Sequence, residues 1–179
     1  MEYQNIAELS SLQQTLFSNR ESNKYCVFIS HKKEDELAAI EIGNYLLNTV
    51  GINIYLDIRD CTLKEAVGDA NDKKIVDSIK KGLKLSTHLL CLISEKTKLS
   101  WWVPYEIGIA DISNLDIASL KLKAVDDVPS FLRTHKVLLN ISDFLQYASG
   151  ITPLAYYLSE NNYKRLTASD NTVLKNYVI

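Results

Sequence analysis

The segment Thr87-His88-Leu89-Leu90-Cys91-Leu92-Ile93-Ser94 narrows the fold most, because its central run leaves no polar side chain on either face of an extended strand. Such a strand is stable only where both faces are covered, the usual situation in parallel sheets flanked by helices. Two shorter runs repeat the pattern, Tyr25-Cys26-Val27-Phe28-Ile29-Ser30 and Ile52-Asn53-Ile54-Tyr55-Leu56. Between them, Glu34 to Val50 places Leu37, Ile40, Tyr45, Leu46 and Leu47 on one broad helical face and stops at Gly51, a helix C-terminal signal. A strand, a helix and a strand joined by such short connections imply a parallel pair with a right-handed crossover.

The alternation continues along the chain. Asn71 or Asp72 can cap a helix carrying Ile75, Val76, Ile79 and Leu83, and Pro104 suits the first turn of a helix running to about Ile112. Ile117 to Leu122 reads as a fourth strand, Pro129 to Arg133 as a helical turn and Val137 to Ile141 as a short fifth strand. Helices are expected after Ser142 and after Thr152, with Gly150-Ile151-Thr152-Pro153 as the break between them. A leading helix over residues 5 to 17, built on Ile6, Leu9, Leu12, Leu16 and Phe17, is expected to pack outside the main fold. The fold class is therefore α/β, an open and mostly parallel sheet of roughly five strands with helices on both faces.

Composition excludes several functions. A chain of 179 residues with 46% apolar and 23% charged residues suits one globular core. Net charge is -2 and Lys and Arg form no long run, which gives no support to nucleic-acid or membrane-surface binding. The Met-Glu-Tyr-Gln-Asn start has no basic region followed by an apolar one, and no stretch has the length of a membrane span, so a cytoplasmic location is expected. Cys26, Cys61 and Cys91 are far apart and the three His residues are scattered, so no metal site is expected.

In an open α/β sheet, ligands bind beyond the carboxyl ends of the strands. Three stretches fall there: Ser30-His31-Lys32-Lys33, Asp57 to Cys61, and Ser94 to Glu106. Glu106 lies just inside a helix whose start carries Trp101, Trp102 and Tyr105. An aromatic, partly desolvated setting tends to raise a carboxyl pKa, and a carboxylate near a helix N-terminus is also simply well placed. Lys32 and Lys33 could hold a diphosphate as point charges or be a solvated loop. Neither common glycine-rich phosphate loop is present, and Ser30 lacks the Gly-flanked turn of a nucleophilic serine.

Four stretches, taken in order, resemble a bacterial TIR domain: Val27-Phe28-Ile29-Ser30-His31-Lys32, Tyr55-Leu56-Asp57, Leu92-Ile93-Ser94, and Ser100-Trp101-Trp102-Val103-Pro104-Tyr105-Glu106. The resemblance covers roughly residues 24–148, leaving residues 1–23 and 149–179 as helical extensions. It implies a flavodoxin-like fold and, in the enzymatic branch, cleavage of NAD to nicotinamide and ADP-ribose, linear or cyclic. The family's catalytic glutamate lies four residues after a tryptophan, a spacing that Trp102 and Glu106 reproduce. By the same resemblance, Ser30, His31, Lys32, Tyr55, Asp57, Ser94, Trp102 and Tyr105 are substrate-binding positions. NAD is then the substrate, and no cofactor is required.

The resemblance implies more about context. The loop following the second strand, about Asp57 to Ala70, is the family's mobile loop, here longer and without proline. A second copy is expected to complete the active site, and Trp-Trp-Val-Pro-Tyr-Glu-Ile-Gly resembles the signal-producing TIR subunits of antiphage systems such as Thoeris. A downstream effector that senses the product would follow. Two other readings stay open: a non-catalytic TIR interaction module, and a nucleoside deoxyribosyltransferase-like enzyme that also sets a glutamate on an N-glycosidic bond.

Overall fold

The computed structural model describes residues 3–18, 25–56, 58, 72–151 and 172–179. The strands β1 (Cys26–Ser30), β2 (Asn53–Tyr55), β3 (His88–Ile93), β4 (Asp116–Lys121) and β5 (Lys136–Leu138) form one sheet in the order β2-β1-β3-β4-β5. Every pairing is parallel, as the apolar runs require. The helices are α1 (Ser11–Ser18), α2 (Glu36–Tyr45), α3 (Asp72–Lys84), α4 (Trp102–Ile112), α5 (Ile141–Gly150) and the short α6 (Leu174–Tyr177). Asp57, Cys61, Asn71 and the helix expected after Thr152 lie outside the described residues.

Alternate residues of a strand point to opposite faces, and the apolar strands therefore feed two cores. Val27, Ile29, Leu90 and Leu92 pack with Ile42, Leu46, Phe144, Leu174 and Val178 on one side. Cys26, Phe28, Leu89, Cys91 and Ile93 pack with Ile75, Ile79, Leu83, Val103 and Ile107 on the other. The short α6 is tied to the sheet by backbone bonds from Lys123 N to Tyr177 O at 2.8 Å and from Ile141 N to Ile179 O at 2.9 Å.

The face expected for α2 needs correction. Leu37 is 70% exposed, whereas Ala38, Ala39, Ile42 and Gly43 are buried. At Gly43 the helix comes so close to the sheet that a Cβ would lie 2.9 Å from Ile54 Cδ1. Small residues therefore share the inner face with Ile42 and Tyr45, which a reading based on large apolar residues alone misses. Past Tyr45 the chain widens into one π-helical turn, and Gly51 closes it in the left-handed region at φ 79°.

The leading segment also departs from expectation. It is a 3₁₀ turn over Ile6–Glu8 followed by α1, and Ile6 is fully buried in the second core rather than outside the fold. What pins it is the edge of β2. Asn5 pairs with Ile54 as a parallel bridge, and its side chain accepts from Leu56 N at 3.0 Å and donates to Leu56 O at 2.9 Å. One amide side chain thus replaces a missing strand neighbour and covers an edge that would otherwise be open. Asn5→Leu should cost about 1–3 kcal/mol, because both Leu56 groups lose their partner; urea unfolding would check it, and an unchanged midpoint would remove the role assigned to Asn5.

At the amino ends of β3 and β4, His88 Nε2 lies 3.9 Å from Asp116 Oδ2, and Tyr25 and Tyr147 flank the imidazole ring. Thr87 Oγ1 reaches His88 Nδ1 at 2.8 Å. Burial lowers the pKa of His88 below its ordinary 6.5 and outweighs the opposing pull of Asp116, so at neutral pH the contact is not an ion pair. A depressed imidazole favours the folded state fully above the unfolded value, and that contribution is lost as pH falls through the folded one. The urea midpoint should therefore drop as pH is lowered below about 6.5, and His88→Gln should flatten that part of the profile. Equal slopes in the two proteins would dismiss His88 as the cause.

Candidate functional site

The strand order makes β1 and β3 neighbours whose chains leave in opposite directions, and ligands of doubly wound sheets bind outside the carboxyl ends at such a switch point. β1 ends at Ser30, β3 ends at Ile93, and Ser30 is in register with Cys91. On this face α4 supplies Val103, Glu106, Ile107 and Ala110 as its buried residues. Their spacing is that of one helical stripe. Glu106 occupies the place of an apolar side chain, with 1% exposure.

A carboxylate so placed needs hydrogen-bond partners. Ser30 Oγ donates to Glu106 Oε2 at 2.5 Å, and Ser30 itself is 1% exposed. Cys91 lies against both: burial first, and then the Glu106 charge, push its thiol far above the usual range, and a hydrogen bond with Ser30 opposes them. The end of β1, the end of β3 and the start of α4 thus meet in one buried Ser30, Cys91 and Glu106 cluster.

The other sequence candidates fall around it unequally. Trp102 and Tyr105 are half-buried and meet edge to face, with ring centroids 6.1 Å apart at 85°, packed against the second core. Trp101 instead points outward and is 91% exposed. His31 is buried, with Nδ1 3.3 Å from Ile29 O, and Lys32 Nζ lies 4.0 Å from Glu34 Oε2. Tyr55 stacks on Phe28 at 5.6 Å and 7° inside the core, with 4% exposure. Asp57 lies outside the described residues.

Ser94 has a partner that sequence reasoning missed. Its hydroxyl donates to Asp35 Oδ2 at 2.5 Å, while its backbone N–H donates to Thr97 Oγ1 at 2.9 Å. Asp35 closes a 3₁₀ turn, Lys33–Asp35, that precedes α2. Within a run of acidic residues at a helix start, nothing in the sequence distinguishes Asp35 from Glu34 or Glu36. Two serines at the ends of adjacent strands therefore each hold a carboxylate, one from α4 on one face of the sheet and one from the start of α2 on the other. Among the described residues, no group of three or more His, Cys, Asp or Glu side chains could hold a metal ion.

An all-parallel five-stranded sheet in this order, with its polar cluster at the β1/β3 switch point, defines a flavodoxin-like α/β domain of the TIR class. The chain matches the family model described as Thoeris protein ThsB, TIR-like domain, over residues 28–127, more than half its length, and it belongs to that family. The match runs from β1 through α4 and β4, and so contains Ser30, Cys91, Ser94 and Glu106. No curated protein matches the chain. No helix among the described residues is long and apolar enough to cross a membrane.

Proposed function

We propose that the chain breaks the nicotinamide-ribose bond of NAD, with Glu106 as the catalytic carboxylate, and that it does so as the signal-producing subunit of an antiphage system in the cytoplasm. The observation that carries this reading is the placement of Glu106: a 1% exposed carboxylate at the switch point, gripped by Ser30. Heterolysis leaves the bonding pair on nicotinamide, which departs neutral, and positive charge grows on the ribose carbon. A fixed carboxylate beside that carbon stabilises the charge more than any ground state, which is the condition for rate enhancement. Water attacking the same carbon gives ADP-ribose; attack by another atom of the same nucleotide gives a cyclic product.

The half-buried Trp102 and Tyr105 pair offers aromatic faces for the cationic nicotinamide ring. Lys32 and Lys33, just past β1, would face the diphosphate, and His31, Ser94 and Asp57 complete the assignment proposed for substrate binding; Tyr55, stacked on Phe28 inside the second core, is left out of it. NAD is substrate here, and the reaction needs no cofactor. Trp101 and Leu99, 91% and 77% exposed beside the start of α4, favour association with a second copy at this end of the sheet; an effector that senses the product would act downstream.

Incubation of purified protein with NAD, followed by chromatography for nicotinamide and the ribose product, tests the reading. Release by the wild type and its loss in Glu106→Gln are expected. Silence at every protein concentration would favour a non-catalytic interaction module, and base exchange on deoxynucleosides would favour a transferase.

A further inference from the structure

We propose that Asp35 and Ser94 form a tether between the carboxyl ends of β1 and β3, and that Asp35 is through it a positioning residue for Lys32 and Lys33, the side chains assigned to the diphosphate. The effect on binding rests on the NAD-cleavage reading; the tether does not.

The first observation is a helix cap that is not made. Asp35 occupies the N-cap position of α2, where an aspartate ordinarily accepts from the first N–H groups of its own helix. It makes no such bond: it also closes the 3₁₀ turn Lys33–Asp35, and its backbone at φ -102°, ψ 12° lies outside the extended region typical of capping residues. Asn140 shows the ordinary arrangement at the start of α5, where at φ -152°, ψ 176° its side chain accepts from Asp143 N at 2.9 Å. The Asp35 carboxylate turns instead to the end of the neighbouring strand, where Ser94 Oγ donates to Oδ2 at 2.5 Å.

The second observation is that the Ser94 end is firmly held. Its hydroxyl oxygen accepts from Lys96 N at 3.2 Å, and its own N–H donates to Thr97 Oγ1 at 2.9 Å. Thr97, with 1% exposure, donates in turn to Leu92 O at 3.1 Å, which fixes the serine to the strand it follows. A hydroxyl has one proton to give, and this one is given to Asp35. Ser94 therefore serves binding through Asp35 and not by donating to a ligand itself.

The third observation is that the Asp35 end carries the lysines. Asp35 N donates to Lys32 O at 2.8 Å, so Lys32, Lys33 and Asp35 belong to one turn just past β1. Held at Ser94, that turn is fixed beside the β1/β3 switch point, where ligands of such sheets bind. Lysine side chains are flexible point charges, and fixing the backbone that bears them reduces the order an anion must impose when it arrives.

Steady-state nicotinamide release separates positioning from a merely structural link. Asp35→Ala and Ser94→Ala should each raise KM for NAD about tenfold, near the lower end of the worth of one hydrogen bond to a charged group, with kcat within about twofold. Asp35→Asn, whose amide oxygen still accepts from Ser94, should restore most of the affinity. Glu36→Ala, which removes an acidic side chain from the same helix start, should not raise KM. The double variant Asp35→Ala/Ser94→Ala should be no worse than either single variant, because both break one link. Additive losses, a KM that stays at the wild-type value, or a fall in kcat alone would overturn the positioning role.

Amide hydrogen exchange without NAD reads the tether itself. In Ser94→Ala the Asp35 N–H, 59 residues away in sequence, should exchange several-fold faster, and in Asp35→Ala the Lys96 N–H should do the same. Unchanged exchange at either position overturns the tether. Faster exchange in a protein that releases no nicotinamide upholds it and defeats only the NAD-cleavage reading.

Discussion

Glu106→Gln is expected to reduce nicotinamide release by on the order of a hundred- to a thousandfold, the effect of losing one directed electrostatic stabiliser in a desolvated site. The substitution keeps the shape of the side chain, and the amide oxygen can still accept from Ser30, so the packing around Val103 and Ile107 is preserved. What it removes is charge. A carboxylate with 1% exposure carries a large desolvation cost, so the Gln variant should melt at the same temperature as the wild type or higher. Lost activity with unchanged or raised Tm is the signature of a residue kept for chemistry at the expense of stability. Activity lost together with the fold would instead make Glu106 a structural group.

The second large effect is expected at Gly82 in α3. An exposed helical Gly→Ala change stabilises by up to about 1 kcal/mol through propensity alone. Here the new Cβ would lie 2.4 Å from Tyr55 Cε1, 2.7 Å from Tyr55 Cδ1 and 2.8 Å from Phe28 Cε2. Those rings are stacked on each other inside the second core and cannot turn aside separately. Overpacking of this kind costs about 1–3 kcal/mol, which exceeds the propensity gain, so Gly82→Ala should be destabilised and Gly82→Leu should fail to fold. A Gly82→Ala protein with a raised urea midpoint would show that α3 moves away at little cost. Because Phe28 and Tyr55 belong to β1 and β2, the same measurement tests how firmly the strands that lead to the site are clamped.

Much of this architecture was legible in the chain. The apolar runs at Cys26–Ser30, Asn53–Tyr55 and His88–Ile93 can be stable only as strands covered on both faces, and the short helical connections force them parallel. Gly51 marked the end of its helix because the backbone there turns left-handed. The helix that carries Glu106 was placed by Pro104 and by the residues that follow it. Its four-residue spacing from Trp102 came from resemblance to the TIR family, not from physics that operates on the isolated chain.

The failures share one cause. Leu37 and Ile6 were assigned by hydrophobicity alone, but burial depends on how closely an element approaches its neighbour: α2 comes so near that it needs Ala38, Ala39 and Gly43, and Asn5 draws Ile6 into the core along the edge of β2. Asp35 and Cys91 carried no signal because nothing local distinguishes an acidic residue at a helix start or a cysteine in an apolar strand.

By itself, then, the sequence determined which segments are strands, that they run parallel, and that the polar stretches past Ser30 and Ile93 gather at one end of the sheet. Only the tertiary structure decided that Ser30, Cys91 and Glu106 form one buried cluster, and that Ser94 answers to Asp35 instead. The physical reason is that a period along the chain fixes the face on which a residue lies. The partner it meets there is chosen by strand order and register, which join positions as distant as Ser30 and Glu106.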